Sequence, residues 1–355
     1  MKPKVCVKVP KNFGEKAVTL AGKLGIVDKT LAIIKQNEDL FIPLIKQPEN
    51  EQITRLTQEI PTLQITTKVF KEKKICSPNL AQVLQKNLPA NLLAKLPQSF
   101  DIIGDIVIIE VPPELENYNA TIGQAILDTH KNIKTVLAKA GEISGVYRIR
   151  EYNFIAGEKR TKTVHREFGC QFNVDVAKAY FSPRLSHEHE RVASLVTDGE
   201  ILVDLFAGVG PFSVLIGKKN PHVKVYAVDL NPEAVELLKE NIKANKLSNR
   251  VVPLLADAQE ISKGELRGVA DRVIMNLPET AINFVGSACS IIKPQGGIIH
   301  FYGFVRKPDS IEQIQEQVKL AIEKAGRHLE TFVYSKSIRE TAPYESQLVL
   351  DTKIK

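Results

Sequence analysis

An α/β fold built on a mostly parallel, seven-stranded sheet is what the C-terminal half of this 355-residue sequence predicts, on three observations. Short apolar runs (ILVDLF, VKVYAVD, VVPLLAD, DRVIMN and GGIIHFYGF) recur from residue 201 onward, each followed by a segment long enough for a helix. That alternation is what a parallel sheet with crossover helices requires. Two further strand-like runs, LETFVYSKSI and SQLVLD, complete the set. Third, acids close successive strands at Asp204, Asp229 and Asp257, the first followed by Gly208 and Gly210. In open α/β sheets ligands bind at the carboxyl ends of the strands.

The composition fits a globular chain, with 43% hydrophobic and 25% charged residues. Lys+Arg exceeds Asp+Glu by 48 to 41, a net +7 that suits a polyanionic partner such as nucleic acid. No apolar run approaches the ~18 residues of a membrane span, and MKPKVCVKVP lacks the apolar stretch of a signal peptide. A cytoplasmic monomer without membrane contact is expected. Cys6, Cys76, Cys170 and Cys289 lie far apart with no CxxC or paired Cys/His spacing. No metal site is expected, and the cysteines read as small buried hydrophobes.

Residues 1–62 predict a small α+β domain. VCVKVP alternates like a strand, GEKAVTLAGKLG has helical spacing and stops at Gly25, and TLAIIKQNEDLFIPLI reads as two strands around a polar turn. KQPENEQITRLTQEIPT, rich in Gln, Glu, Pro and Thr, reads as a linker, partly helical at most, with a domain boundary there. Residues 63–175 predict a middle α+β domain. LQITTKVF resembles a strand, SPNLAQVLQKNLPANLLAKLP short helices broken by Pro89 and Pro97, and FDIIGDIVIIEVP buried β structure. TIGQAILDTHKNIKTVLAKAG reads as one long helix closed by Gly141. The segment after it sets Tyr147, Tyr152, Phe154, Phe168 and Phe172 among Arg148, Arg150, Lys159, Arg160, Lys162 and Arg166. Rings that stack on bases beside cations that meet phosphates suit single-stranded or loop RNA. The same spacing suits an amphipathic hairpin with its rings in the core and a solvated charged face. Residues 176–355 form the third predicted domain.

ILVDLFAGVGPFSV carries the strongest signal. A dinucleotide fingerprint would place a third Gly where Ser213 stands, and Asp204 would repel a pyrophosphate. An acid there suits a cationic, amine-bearing ligand such as S-adenosylmethionine. Asp229 can accept both hydrogen bonds of a ribose diol. Asp257 can receive an adenine amino group, and Ala258 offers a backbone donor to the ring. The competing reading is that each Asp caps the following helix. Asn276-Leu277-Pro278 ends the fourth strand, where an amide can read a base edge and a proline holds the turn.

With YFSPRL at 180–185, DLFAGVGPF at 204–212, AVDLNPEA at 227–234 and NLP at 276–278, the chain resembles the archaeal and eukaryotic tRNA (guanine-37-N1)-methyltransferases over nearly its whole length. The resemblance implies a class I, Rossmann-like methyltransferase domain using S-adenosylmethionine, and tRNA as partner, with the first domain contacting it far from the anticodon. It implies a cofactor site of Tyr180, Arg184, Asp204, Phe206, Ala207, Gly208, Asp229, Leu230, Asp257, Ala258 and Asn276. Glu188 would be the general base that takes the N1 proton, Arg148 would stabilise charge on O6, and Asn276 and Pro278 would hold the base. Two departures stand out. In SHEHER, Glu190 competes with Glu188, as Arg150 competes with Arg148; and NLPE replaces the Asn-Pro-Pro-aromatic motif of many amino-methyltransferases, so another ring must sandwich the base. The nearest rival is a wyosine-pathway transferase acting at the same tRNA position, by aminocarboxypropyl transfer or by methylation of the tricyclic intermediate. Rivals of other classes are a non-catalytic RNA-binding protein and a methyltransferase of small molecules or proteins.

Overall fold

The structure is a computed structural model that describes residues 3–72, 80–141 and 145–355. Cys76 lies outside the described residues; Cys6, Cys170 and Cys289 are buried free thiols, as expected. Contacts divide the chain into two compact units, residues 1–82 and 83–355.

In the first unit, β1 (Lys4–Pro10), α1 (Gly14–Lys23), β2 (Ile34–Gln36), β3 (Asp39–Pro43), α2 (Asn50–Glu59) and β4 (Gln64–Lys68) follow in order. The sheet runs β2-β3-β1-β4, with every pairing antiparallel. Val7, Val9, Ala17, Ala21, Ile42 and Leu44 fill its core. Two expectations are corrected here. The presumed linker contains α2, which opens with a capping box: the Gln52 side chain accepts from the Glu49 backbone while the Glu49 side chain accepts from the third-residue amide. Leu56 on its inner face and Ile60, the residue just past its end, drop into the core. The boundary also moves from 62 to about 82, because β4 pairs with β1 in register Val5–Thr67 and Val7–Ile65.

The second unit begins its β structure beyond two short helices, α3 (Leu80–Leu84) and α4 (Ala90–Leu93), that flank Pro89. β5 (Asp101–Ile103), β6 (Ile106–Ile109), α5 (Asn119–Thr129), β7 (Thr135–Lys139) and β8 (Tyr152–Gly157) build a sheet ordered β5-β6-β7-β8. The helix expected to run to Gly141 therefore stops at Thr129, and its second half is β7. Thr135–Ala138 is buried throughout, an interior strand parallel to β6. Such a strand shows a continuous apolar run and no alternation, which periodicity cannot tell from helix.

β9 (Lys162–Glu167) and β10 (Cys170–Asp175) form a hairpin. After them come α6 (Ser186–Leu195), β11 (Ile201–Asp204), α7 (Pro211–Lys219), β12 (Lys224–Asp229), α8 (Pro232–Ala244), β13 (Val251–Leu255), α9 (Ala258–Lys263), β14 (Arg272–Met275), α10 (Val285–Ile291), β15 (Gly297–Arg306), α11 (Ile311–Lys324), β16 (Leu329–Ala342) and β17 (Glu345–Ile354). The sheet is seven-stranded in the order β13-β12-β11-β14-β15-β17-β16. Its first five members are parallel, and β17 enters antiparallel between β15 and β16. No break falls at 175. Asn241 on α8 accepts from the Asn173 amide at 2.6 Å and donates to its carbonyl at 3.1 Å. Asn245 does the same for Gln171 at 3.0 and 2.7 Å. Two buried amides thus fasten the hairpin to the larger sheet's helical layer.

Candidate active site

Strand order reverses between β11 and β14, which opens a crevice beyond their carboxyl ends. The loop leaving β11 turns on two glycines with positive φ, +55° at Gly208 and +89° at Gly210. Gly210 is the left-handed cap of α7, and a side chain there would strike Leu238. Asp229, at the tip of β12, braces this loop. Its Oδ2 accepts from the Gly208 amide at 2.7 Å and its Oδ1 from the Asn231 amide at 2.9 Å. Burial raises its pKa against those backbone bonds. Each oxygen keeps acceptor capacity for a ribose hydroxyl. Asn231 caps α8, so Asp229 does not. Asp257 does both jobs: it lines the cleft and caps α9, accepting from the Gln259 amide at 2.7 Å.

Tyr180, Phe206, Ala207, Gly208, Asp229, Leu230, Asp257, Ala258, Asn276 and Pro278 all line this one cleft. Two expected cofactor residues do not. Asp204 is buried behind the loop, its Oδ2 accepting from Ser213 Oγ at 2.8 Å and its Oδ1 without a partner among the described residues. Burial, with the nearby Asp229 charge, pushes its carboxyl up to about 7. Arg184 instead pairs with Asp101 at 2.5 Å and faces a neighbouring hollow.

On the target side, Arg148 lines the cleft and Arg150 does not. Arg148 has a left-handed backbone, φ +55°, its Nη1 2.6 Å from Oε2 of Glu279 and its guanidinium carbon 5.9 Å from the Tyr180 ring centre. Arg150 donates to the Gly141 carbonyl at 3.0 Å. Asn276 Oδ1 is buried with no partner among the described residues. The adjoining hollow shares Arg148, Tyr180 and Phe304 with the cleft and adds Lys139, Arg150 and Arg184.

Glu188 is not on the cleft wall. It is buried, accepting from Arg191 Nε at 3.0 and 3.1 Å and from the Tyr302 hydroxyl at 2.9 Å. Arg191 also pairs with Asp351 at 2.6 Å, and Asp351 lies 2.6 Å from His300 Nδ1. Glu190 pairs with Lys219, away from the cleft.

Sequence reasoning missed His189, Phe284, Phe304, Arg339 and Gln347, which also line the cleft. His189 could have been found, because it lies four residues after Leu185 and helical spacing puts both on one face. Its Nδ1 is 2.7 Å from Glu167 Oε1. Burial opposes the charge of Glu167, but His165, 3.7 Å away, and the hydrogen-bonded His189 hold it at about 2. The two readings of the aromatic segment divide by residue: Phe172 is core, whereas Tyr147, Phe154 and Phe168 are exposed.

The sequence pattern of the TRM5/TYW2 methyltransferase domain matches residues 163–330, that of the TYW2 N-terminal domain 80–161, and that of the tRNA methyltransferase 5 N-terminal domain 6–52. The chain is 40% identical over 358 residues to the tRNA (guanine(37)-N(1))-methyltransferase Trm5b of Pyrococcus abyssi, across 99% of each chain. A crystal structure of that protein aligns with a TM-score of 0.73 at 39% identity, again over 99% of both. A structure of aTrm5 with tRNALeu aligns at 0.68 and 32% identity, over 99% of this chain and all of that one. A tRNA(Phe) (4-demethylwyosine(37)-C(7)) aminocarboxypropyltransferase of Methanocaldococcus jannaschii is 34% identical over 71% of this chain and 96% of its own length.

Proposed function

This chain belongs to the tRNA (guanine(37)-N(1))-methyltransferase family, and on that footing we propose that it moves a methyl group from S-adenosylmethionine to N1 of guanosine 37 in tRNA. One observation carries the reading: Asp229, Asp257, Asn276, Pro278 and Arg148, far apart in sequence, converge on a single cleft. The residues present fit the methyl donor. Asn276 Oδ1 is an unused acceptor on the cleft wall, Asp229 offers the tip of β12 to a ribose, and the Gly208 turn leaves the backbone open to close approach. The bound donor supplies an electrophilic methyl on a sulfonium; the chain supplies alignment and proton handling.

Guanine N1 carries a proton at neutral pH and must lose it. Glu188 is the proposed acceptor; since it lies buried off the cleft wall, to act it must move to the cleft and exchange the Tyr302 hydroxyl or Arg191 for the base. Charge then gathers on O6, where Arg148 meets it with a charge-assisted hydrogen bond worth on the order of 10²–10³ in rate. Asn276 and Pro278 hold the base, which has left the anticodon-loop stack. Arg184 belongs to the target side, in the hollow beside the cleft, whose lining mixes cations with acids such as Asp101 and Glu279. The first unit contacts tRNA away from the anticodon, and the protein works as a cytoplasmic monomer.

The test is to incubate the protein with labelled donor and tRNA transcripts carrying G, A or U at position 37, and separately with tRNA pre-modified to 4-demethylwyosine there, and to weigh the modified nucleoside. A gain of one methyl at N1 of G37 alone is expected. Methylation of all three transcripts sinks the assignment, and an aminocarboxypropyl adduct on pre-modified tRNA would move the chain to the transferase seen in Methanocaldococcus jannaschii.

A further inference from the structure

The cation that Arg148 brings to the cleft is already engaged. Its Nη1 lies 2.6 Å from Glu279, whose carboxylate is about half exposed, 52%, while the arginine side chain is 17% exposed. Glu279 follows directly on Asn276-Leu277-Pro278, the segment that holds the base in the reading above. The guanidinium carbon also lies 5.9 Å from the centre of the Tyr180 ring. The backbone beneath it is left-handed, a conformation a non-glycine residue keeps only when its surroundings hold it. A guanidinium has five donors in a rigid fork, so one bond to a carboxylate leaves the rest to be aimed elsewhere.

We infer that Glu279 is a positioning residue for Arg148: it ties the arginine's turn to the base-holding loop, so that the other N–H groups of the fork face O6 as charge develops there. This rests on the reading of Arg148 as the O6 donor. Two effects oppose each other. The glutamate charge offsets part of the arginine's field, but at half exposure that term is screened and small. Losing orientation is the larger effect, since a displacement of about 1 Å can lower a rate about 10²-fold. Removing Glu279 should therefore slow the reaction.

The test is single-turnover methyl transfer to G37 tRNA, at saturating donor, by Glu279→Ala, Glu279→Gln, Arg148→Ala and the double variant. Glu279→Ala is expected to run at least about tenfold slower than wild type, short of the 10²–10³ of Arg148→Ala, with donor affinity unchanged. Glu279→Gln, which keeps an acceptor, should recover most of the rate. In the Arg148→Ala background, loss of Glu279 should change the rate by less than about twofold, because coupled residues are not additive. A Glu279→Ala rate at or above about a third of wild type, with Arg148→Ala still impaired, overturns the inference and leaves the function intact; so does full additivity in the double variant. If Arg148→Ala runs at the wild-type rate, the role of Arg148 falls and this inference with it.

Discussion

Asp204 sits buried at the end of β11, with one oxygen bonded to Ser213 and the other without a close partner among the described residues. Its carboxyl is raised to about 7, above its unfolded value of 3.8. Below about pH 4 folded and unfolded chains both carry the proton, and nothing is lost. As pH climbs from there to 7 the unfolded chain ionises first, and stability drains away by a few kcal/mol at about 1.4 per unit. Asp204→Asn keeps an acceptor for Ser213 and has no charge to bury. Paired urea denaturation curves from pH 5 to 8 should show its advantage over wild type widening with pH; a constant gap would mean Asp204 is not buried in its acid form. Asp257 permits a cleaner separation of roles. Asn is as good an N-cap as Asp, so Asp257→Asn should leave the melting temperature unchanged while weakening donor binding in calorimetry. Loss of both would mean that capping was its main work.

α2 shows what can be read from a string of residues and what cannot. Its polar surface, Asn50 to Glu59, hides Leu56, which only the fold identifies as an inner face with Ile60 just beyond the helix end. Leu56 is fully buried, so Leu56→Ala should destabilise the first unit by about 2–5 kcal/mol, seen as an earlier first transition in calorimetry with the second unit's transition unmoved. The strands that end in acids were legible because each combines an apolar run with a turn of specific chemistry. β4 was visible as a strand but not as a partner of β1, since pairing across 55 or more residues leaves no local trace. β7 was lost to helix because burial on both faces erases alternation. The cleft was readable where a motif carries it, as at Asp229 and Asn276. It was unreadable at Arg339 and Gln347, whose hairpin brings them there without any signature. Because β4 belongs to the first unit, a truncation that tests that unit's role must remove residues 1–82 and not 1–62. Filter binding should then show weaker tRNA affinity with donor affinity unchanged.

Across the second unit, buried charge joins elements that meet only in the finished fold. Arg191 of α6 binds Asp351 of β17, which binds His300 of β15, and Arg272 of β14 pairs with Glu200 at 2.9 Å. Burial disfavours the Asp351 charge, yet the bonds from His300 and Arg191 hold it at about 2. A depressed carboxylate stabilises above its unfolded value, and that contribution is lost as pH falls from about 4 to about 2. Asp351→Asn should flatten this part of the acid transition and lower stability at neutral pH, by less than the about 3–5 kcal/mol of an orphaned buried charge, because Arg191 keeps Glu188. The strand that bears Asp351 also bears Gln347 on the cleft wall, and it is inserted between β15 and β16 instead of being added at an edge. The stretch of wall at Gln347 is therefore complete only when β17 has zipped to a neighbour on each side, so loosening either seam opens the cleft.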